Sequence, residues 1–298
     1  TTGFYTLSLH DALPCLGRII SFGSMAQLSA FGVVLLLGWF FDASFTFLFA
    51  VVGGLGLLAV AWAMWRFPMF EQPVAQNTAI ILRRRYWLYY ALVFMGGARR
   101  QIFVVFAAFL MVQRYGFQIE AIAILFIING LVSMSLAPLI GRFIVRVGER
   151  KALILEYIGL MMVFTAYGAM AAPEWFGASP ASGAMTLWAI TTAFLYVLNH
   201  AFFAMSIAHK TYFQKVADDA DMAPTAAVAF TINHIASVAT PIAFGLLWLY
   251  SPALVFLSGT AMAFVSLILS LMVPRHPQPG HETRRILKGR NPSMVPTT

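Results

Sequence analysis

Two adjacent arginines, Arg99 and Arg100, lie near the middle of an apolar stretch that covers residues 86–113. That stretch is long enough to cross a lipid bilayer as a helix, which needs about 20 mainly apolar residues. A cation near the membrane centre costs about 2.5–3.5 kcal/mol on translocon-based scales. A guanidinium can offset this cost by binding a carboxylate or phosphate through two parallel hydrogen bonds. The pair therefore predicts either an anionic ligand or a carboxylate partner.

Polar residues recur at similar depth in other apolar stretches, where such groups mark binding sites or transport pathways. Neighbouring residues on a helix point about 100° apart. We therefore expect one arginine to face a cavity and the other to pack against a helix, without assigning which. Buried Asn and His side chains also join helices by hydrogen bonds alone, so that interpretation stays open. The candidate substrate-binding residues are Arg99, Arg100, Gln101, Asn129, Asn199, His200, Asn233 and His234.

The counter-charge for the arginines is scarce in the same part of the chain. Glu156 is the only carboxylate inside the apolar stretches after residue 86 that we assign as spanning, and it lies about one turn from a helix end. We expect it to be too shallow to neutralise both arginines, which favours an anionic substrate. A coupling proton would have to use His200, His234 or residues outside this chain, because histidine titrates near neutral pH. A uniporter or an anion exchanger fits equally well.

Composition identifies the broad class. The chain is 60% hydrophobic and 10% charged, with a mean hydropathy of +0.81, whereas about a quarter of the residues of a soluble domain are charged. This composition predicts an integral membrane protein. The net charge of +8 does not indicate nucleic-acid binding, because the basic residues cluster between apolar stretches. The single cysteine, Cys15, excludes an internal disulfide and a cysteine-based metal cluster, and we expect no cofactor and no metal.

The predicted fold is all-α and polytopic, because backbone polar groups in lipid must be satisfied within each segment. Of the 19 Lys and Arg residues, 16 lie in alternate connecting segments, which predicts that those segments and the C-terminus are cytoplasmic. We expect a disordered tail over 274–298. The eight predicted transmembrane helices cover residues 19–41, 45–67, 86–113, 119–141, 152–172, 184–208, 223–248 and 252–273.

A sequence between the fourth and fifth spans suggests a family. Residues 141–151 read GRFIVRVGERK, which is similar to the loop signature G-x-x-x-D-R-x-G-R-[RK] of the major facilitator superfamily. Val145 stands in place of the aspartate, and the last two basic residues are shifted by one position. Glycines there permit close approach of helices, while the cations stay at the membrane surface. The matching residues are Gly141, Arg146, Gly148, Arg150 and Lys151.

The resemblance implies a division of the chain. Residues 15–67 would be the last two helices of an N-terminal half, 68–85 a cytoplasmic linker and 86–273 a complete six-helix C-terminal half. The chain would then hold helices five to twelve, and we expect no transport without the four preceding ones. Residues 1–14 resemble a translated adapter sequence, so we expect a non-native leader there.

The activity implied by the resemblance is secondary transport of a small solute by alternating access, in a bacterial cytoplasmic membrane. Two other interpretations remain open. A membrane-embedded, metal-dependent lipid transferase could use the acidic cluster Asp218, Asp219 and Asp221, although acids at that position also favour a helix N-terminus. A non-transporting receptor could use the basic tail 284–290 at an anionic lipid surface.

Overall fold

The computed structural model describes residues 44–66, 82–176 and 184–284, together with residues 18, 21–23, 25, 26, 28–30, 32 and 33. Seven helices in this part of the chain are long and apolar enough to cross a membrane. The predicted integral membrane protein is therefore confirmed, and the architecture of the described residues is helical. Most of the predicted span 19–41, the leader 1–14 and linker residues 68–81 lie outside the described residues.

The helices follow one another with short connections. They are α1 (Phe45–Arg66), α2 (Trp87–Gln101), α3 (Ala108–Tyr115), α4 (Ile119–Val147), α5 (Glu149–Ala171), α6 (Ala184–Phe203), α7 (Ile207–Val216), α8 (Met222–Tyr250) and α9 (Pro252–Leu271). A π-helical turn, Ile102–Ala107, joins α2 to α3, and a 3₁₀ turn, Ala204–Ser206, joins α6 to α7. Each of these pairs forms one continuous membrane-spanning rod, over Arg84–Tyr115 and Thr186–Val216.

The packed core lies in the second part of the chain. Every buried hydrophobic residue of the described part falls between Tyr86 and Val273, a range that coincides with the predicted six-helix unit. Helix α5 is central and packs closely on α9. A Cβ on Gly259 would lie 2.4 Å from a ring carbon of Phe164, so the glycine permits this approach. Helix α1, in contrast, buries none of its described residues.

The outer surface of the bundle is apolar. Large side chains such as Phe194, Ile242 and Leu249 are mostly exposed. Contiguous apolar surface of this kind is unusual on a protein that faces water. It is the expected surface for helices that contact lipid.

The segment predicted as a basic loop differs from expectation. Helix α4 continues to Val147 and α5 begins at Glu149, so Gly148 alone forms the corner. Its φ of 84° lies in the region that glycine adopts without a steric cost. Arg146 therefore occupies the last turn of α4, and Arg150 and Lys151 the first turn of α5. Gly141 is buried within α4. Hydropathy ended the helices early because the last turns of α4 are basic.

One end of the bundle, which we call the basic end, brings together residues 82–86, 148–151, 215–222 and 274–284. Arg83 binds Asp221 at 2.9 Å, and Lys215 binds Glu149 at 2.5 Å. Arg85 pairs with Asp218 and, at 2.7 Å, with Glu282. These segments are the ones that the charge pattern assigned to one side of the membrane. At the opposite end, Arg114 pairs with Glu174.

The start of the tail also differs from the prediction of disorder. Residues 274–284 fold back, with an isolated bridge between Gln278 and His281. The backbone amide of Arg284 donates to the Met272 carbonyl at 2.7 Å, and Tyr212 donates to the carbonyl of Glu282. Composition did not indicate this order because it depends on a few specific contacts. Residues 285–298 lie outside the described part of the chain.

Candidate functional site

Arg99 is buried, with 1% of its surface exposed. Its Nη2 lies 3.5 Å from Oε1 of Glu156 on α5, and its Nη1 donates to Ser266 Oγ on α9 at 2.8 Å. The guanidinium also lies 4.9 Å from the ring centroid of Tyr157. Arg99 thus joins three helices. Glu156, expected to be too shallow to neutralise both arginines, reaches one of them, because the helices bring its side chain to the depth of Arg99.

The ion pair between Arg99 and Glu156 is fully enclosed by protein. Glu156 has no exposed surface, and neither of its carboxylate oxygens accepts a hydrogen bond within the described residues. A pair of this kind gains little net stability over apolar residues, but removal of one partner leaves an uncompensated charge. Its role is therefore to hold α2, α5 and α9 in one arrangement. It leaves Arg99 with no access to a solute.

Arg100 has a different environment. Its side chain is exposed and lies 5.9 Å from the ring centroid of Phe203. Among the described residues it forms no ion pair with a carboxylate, whereas Arg99 does. Arg100 lines two cavities at once. The expectation that the two arginines face different surroundings is confirmed, and Arg100 is the one in the cavity.

The first cavity, which we call the α7–α8 cavity, has a volume of about 500 Å³. Besides Arg100, its polar side chains include Lys210, His209 and Asn233, and Phe213 contributes an apolar wall. Gly97 lets α2 approach α8 here, because a Cβ at this position would lie 2.6 Å from Asn233 Oδ1.

His209 connects this cavity to the buried ion pair. Its Nε2 shares a hydrogen bond of 2.5 Å with the hydroxyl of Tyr157, whose ring contacts Arg99. A rearrangement of the cavity wall would therefore be felt at the buried pair.

The second cavity, the α4–α6 cavity, has a volume of about 330 Å³. Asn129 and Asn199 line it, and the Oδ1 atoms of both are buried without a hydrogen-bond partner among the described residues. His200 also lines it and shares a hydrogen bond of 2.7 Å with Ser133. Buried polar atoms of folded proteins normally have a partner. The two amide oxygens are therefore available to a bound solute or water.

The charge of the two cavities is one-sided. Arg100 and Lys210 contribute positive charge, and no Asp or Glu is among the described residues that line either cavity. Phe203 lines both and a third, smaller cavity of about 160 Å³. Cavities with cations and no carboxylates attract small anions, and the neighbouring amides supply additional polar contacts.

Local helix irregularities flank the cavities. The π-helical turn starts two residues after Arg100, and the 3₁₀ turn starts directly after Phe203. Such interruptions are often found at functional sites, because they redirect side chains and loosen the helix. Both interruptions thus lie beside the residues that the cavities share.

The candidate residues separate into two groups. Arg100, Asn129, Asn199, His200 and Asn233 line the cavities. Arg99 is buried, and Gln101 lines none of the cavities described here. His234 is exposed and contacts Phe230 on its own helix, with 4.0 Å between ring centroids.

Sequence reasoning missed other lining residues, mainly Lys210, Ser133, Tyr196 and Phe203. Lys210 was assigned to a loop over 209–222, but α7 continues as a helix to Val216. The three-residue spacing of Asn199 and Phe203 with Tyr196 and His200 indicates one helix face, and would have identified Tyr196 and Phe203.

The acidic cluster has a structural explanation. Asp218 pairs with Arg85, and Asp221 pairs with Arg83 and accepts a hydrogen bond from Tyr86 at 3.3 Å. No group of three or more His, Cys, Asp or Glu side chains within the described part of the chain is arranged to hold a metal ion. These contacts account for the cluster by its links to the basic residues that precede α2.

No protein-family model matches the chain, and no curated protein sequence is significantly similar to it.

Proposed function

We propose that the chain forms most of a secondary transporter of the major facilitator type, and that its solute is a small organic anion. The observation that carries the proposal is the position of Arg100, exposed between two cavities whose described lining contains cations and no carboxylate. The unpartnered oxygens of Asn129 and Asn199 favour an anion that also carries a hydrogen-bond donor, such as a hydroxy or amino acid.

The packing of the first helical segment supports a site between two halves. Ser21 donates a hydrogen bond of 2.8 Å to the Met134 carbonyl on α4. Leu28 lines the α4–α6 cavity and lies against Gly130, where a Cβ would approach it to 2.7 Å. Transporters of this type bind their solute between two helical repeats and expose it by rocking one against the other. Leu28 and Arg100 would then belong to opposite halves.

The proposed mechanism gives the two arginines separate tasks. Arg100 binds the carboxylate or phosphate of the solute, and Lys210 adds positive charge at the same cavity. Arg99, Glu156 and Ser266 keep the six-helix unit rigid while it moves. Rocking of a rigid unit changes access to the cavities without breaking its core.

The proposed location is a bacterial cytoplasmic membrane with the basic end on the cytoplasmic side. The basic end carries Arg83, Arg84, Arg85, Arg150, Lys151 and Lys215, whereas Arg114 is the basic residue near the opposite end in the described chain. Positively charged loops remain on the cytoplasmic side during insertion.

The test is anion binding by the purified chain in phosphatidylcholine nanodiscs. Small carboxylates, phosphate monoesters and sulfonates would be compared with matched organic cations by equilibrium binding and thermal shift. We expect at least one anion class to bind and Arg100→Gln to weaken its binding by about 10-fold or more, as for a charged hydrogen bond. Arg114→Gln, a change of the same type at the opposite end, is the control. Binding of cations in preference to anions, or anion binding unchanged by Arg100→Gln, would contradict the proposal.

A further inference from the structure

A separate basic recess lies at the basic end, apart from Arg100. It has a volume of about 820 Å³ and lies between the start of α5 and residues 274–284 of the tail. Its charged residues are Arg150, Arg275 and Arg284, and His276 and His281 line it as well. None of its lining residues is Asp or Glu.

The three guanidiniums of the recess lack a carboxylate partner within the described residues. Glu282 is the only acid between residues 274 and 298, and it is engaged elsewhere. Its Oε1 accepts hydrogen bonds from Arg85 Nη2 at 2.7 Å and from the Gly280 amide at 3.1 Å. Burial opposes its ionisation, but hydrogen bonds from backbone amides and from Arg85 outweigh this and lower the pKa of Glu282. The acid is therefore held as a carboxylate that faces Arg85.

The fold holds these like charges together. Arg150 is close enough to Arg275 and Arg284 for all three charges to repel one another. The tail cannot simply move away, because the Arg284 amide is bonded to the Met272 carbonyl at 2.7 Å and Tyr212 holds the Glu282 carbonyl. A cluster of like charges fixed by the backbone is destabilising unless an anion binds between them.

The start of α5 adds to the positive potential of the recess. Arg150 is the second residue of the helix, and the N-cap residue Gly148 has no side chain to bond the first amides. A helix N-terminus with free amides attracts anions. Guanidinium groups match the geometry of phosphate oxygens through paired hydrogen bonds.

We propose that this recess binds a phosphate-bearing anion, either the headgroup of an anionic phospholipid or free phosphate. The ligand would bridge α5 and the tail, and so fix the tail against the bundle. The proposal rests on the lining of the recess alone and stands whether or not the α7–α8 and α4–α6 cavities carry a solute.

The test uses the purified chain, freed of lipid in detergent. Native mass spectrometry would measure binding of phosphatidylglycerol and of phosphatidylcholine, and a separate titration with inorganic phosphate at constant ionic strength would test the free anion. We expect wild-type protein to prefer phosphatidylglycerol or to bind phosphate. Each of Arg150→Gln, Arg275→Gln and Arg284→Gln should weaken that binding by about 5-fold, from roughly 1 kcal/mol for each cation near a membrane surface.

The control is Arg142→Gln, which removes an exposed cation from α4 outside the recess. Binding of phosphatidylglycerol that depends on the three arginines, with no response to phosphate, identifies the lipid; the reverse identifies a soluble phosphate. Arg150→Lys, which keeps the charge, should restore part of the affinity and shows that a loss is not a folding defect. Absence of both bindings in the wild type, or equal losses in the control, would overturn the proposal.

Discussion

Arg99 and Arg100 are neighbours in the sequence, yet they belong to two regions with different physical roles. Arg99 is enclosed by α5 and α9, where Glu156 and Ser266 satisfy part of its charge. Arg100 lies open to two cavities and has no carboxylate partner among the described residues. The helix turn of about 100° between them is enough to place one cation in the core and the other at the proposed site.

The comparison shows how a membrane protein can keep a cation available at a site inside the bilayer. The only intramembrane carboxylate of the described six-helix unit is used by the arginine that needs it for packing. The second arginine stays unpaired and can bind a solute. Loss of charge at the two positions should therefore affect different properties, and the predictions that follow test that separation.

The largest effect is expected on stability from Arg99→Met. This change leaves Glu156 as a buried carboxylate without a partner, which costs about 3–5 kcal/mol in comparable buried pairs. Thermal unfolding in detergent, followed by loss of monodisperse protein on size-exclusion chromatography, measures the effect. The double variant Arg99→Met/Glu156→Leu should recover most of the loss, because apolar residues can replace a buried pair. If the single variant unfolds like the wild type, the pair does not hold these helices.

Arg100→Met is the matched change at the neighbouring position. Since Arg100 is exposed, its unfolding temperature should stay close to that of the wild type, as for substitutions that change stability by less than about 0.5 kcal/mol. Anion affinity should nevertheless fall by about 10-fold or more, because a charged hydrogen bond contributes about 1.5–3 kcal/mol. Equilibrium binding with the anion identified for the wild type measures this loss. A strong loss of stability with unchanged affinity would reverse the assignment of the two arginines.

Gly97→Ala sharpens the comparison at the boundary between the core and the cavity. The added Cβ would lie 2.6 Å from Asn233 Oδ1 and 3.1 Å from the Asn233 carbonyl oxygen, so α2 and α8 must separate. Overpacking of this kind costs about 1–3 kcal/mol. The control is Gly96→Ala, whose Cβ would meet its nearest neighbour at 3.9 Å, an ordinary contact. Thermal unfolding should distinguish the two alanines, and equal unfolding temperatures would show that α2 and α8 do not approach here.

The smallest effect concerns the basic end and its dependence on pH. The pKa of Glu282 is lowered in the folded protein, so its stabilising contact is complete above the ordinary glutamate pKa of about 4.3. The contribution is lost as pH falls through the lowered value, and partly exposed pairs of this kind contribute about 0.2–1 kcal/mol. Unfolding temperatures between pH 3 and 7 should therefore decline less steeply at low pH for Glu282→Gln than for the wild type. Parallel pH curves would show that the tail contact adds nothing.

Several features of the fold follow directly from the sequence. Long apolar runs predict the membrane helices, and six of them fall within residues 84–271, as expected. The alternation of basic segments predicts which connections share one end of the bundle, and the ion pairs of Arg83 and Arg85 lie at that end. These features depend on hydrophobicity and charge averaged over many residues, which a sequence states explicitly.

The candidate site follows from the sequence only in part. Depth along a helix can be counted, so Asn129, Asn199 and Asn233 were placed at the level of Arg100. The direction of each side chain depends on how the helices pack, and this decides that Arg99 meets Glu156 while Arg100 does not. The contribution of Lys210 depends on the continuation of α7 beyond the apolar run. Specific three-dimensional contacts of this kind have no signal in composition or local spacing.

The most direct test of the account is a parallel measurement on Arg99→Met and Arg100→Met. For both purified variants and the wild type, thermal unfolding and anion affinity would be measured in the same phosphatidylcholine nanodiscs. The account predicts a large loss of stability for the Arg99 variant with retained affinity in the protein that remains folded. It predicts near-wild-type stability with at least about 10-fold weaker anion binding for the Arg100 variant. Equal effects of the two substitutions on both properties would contradict the division of labour between the arginines.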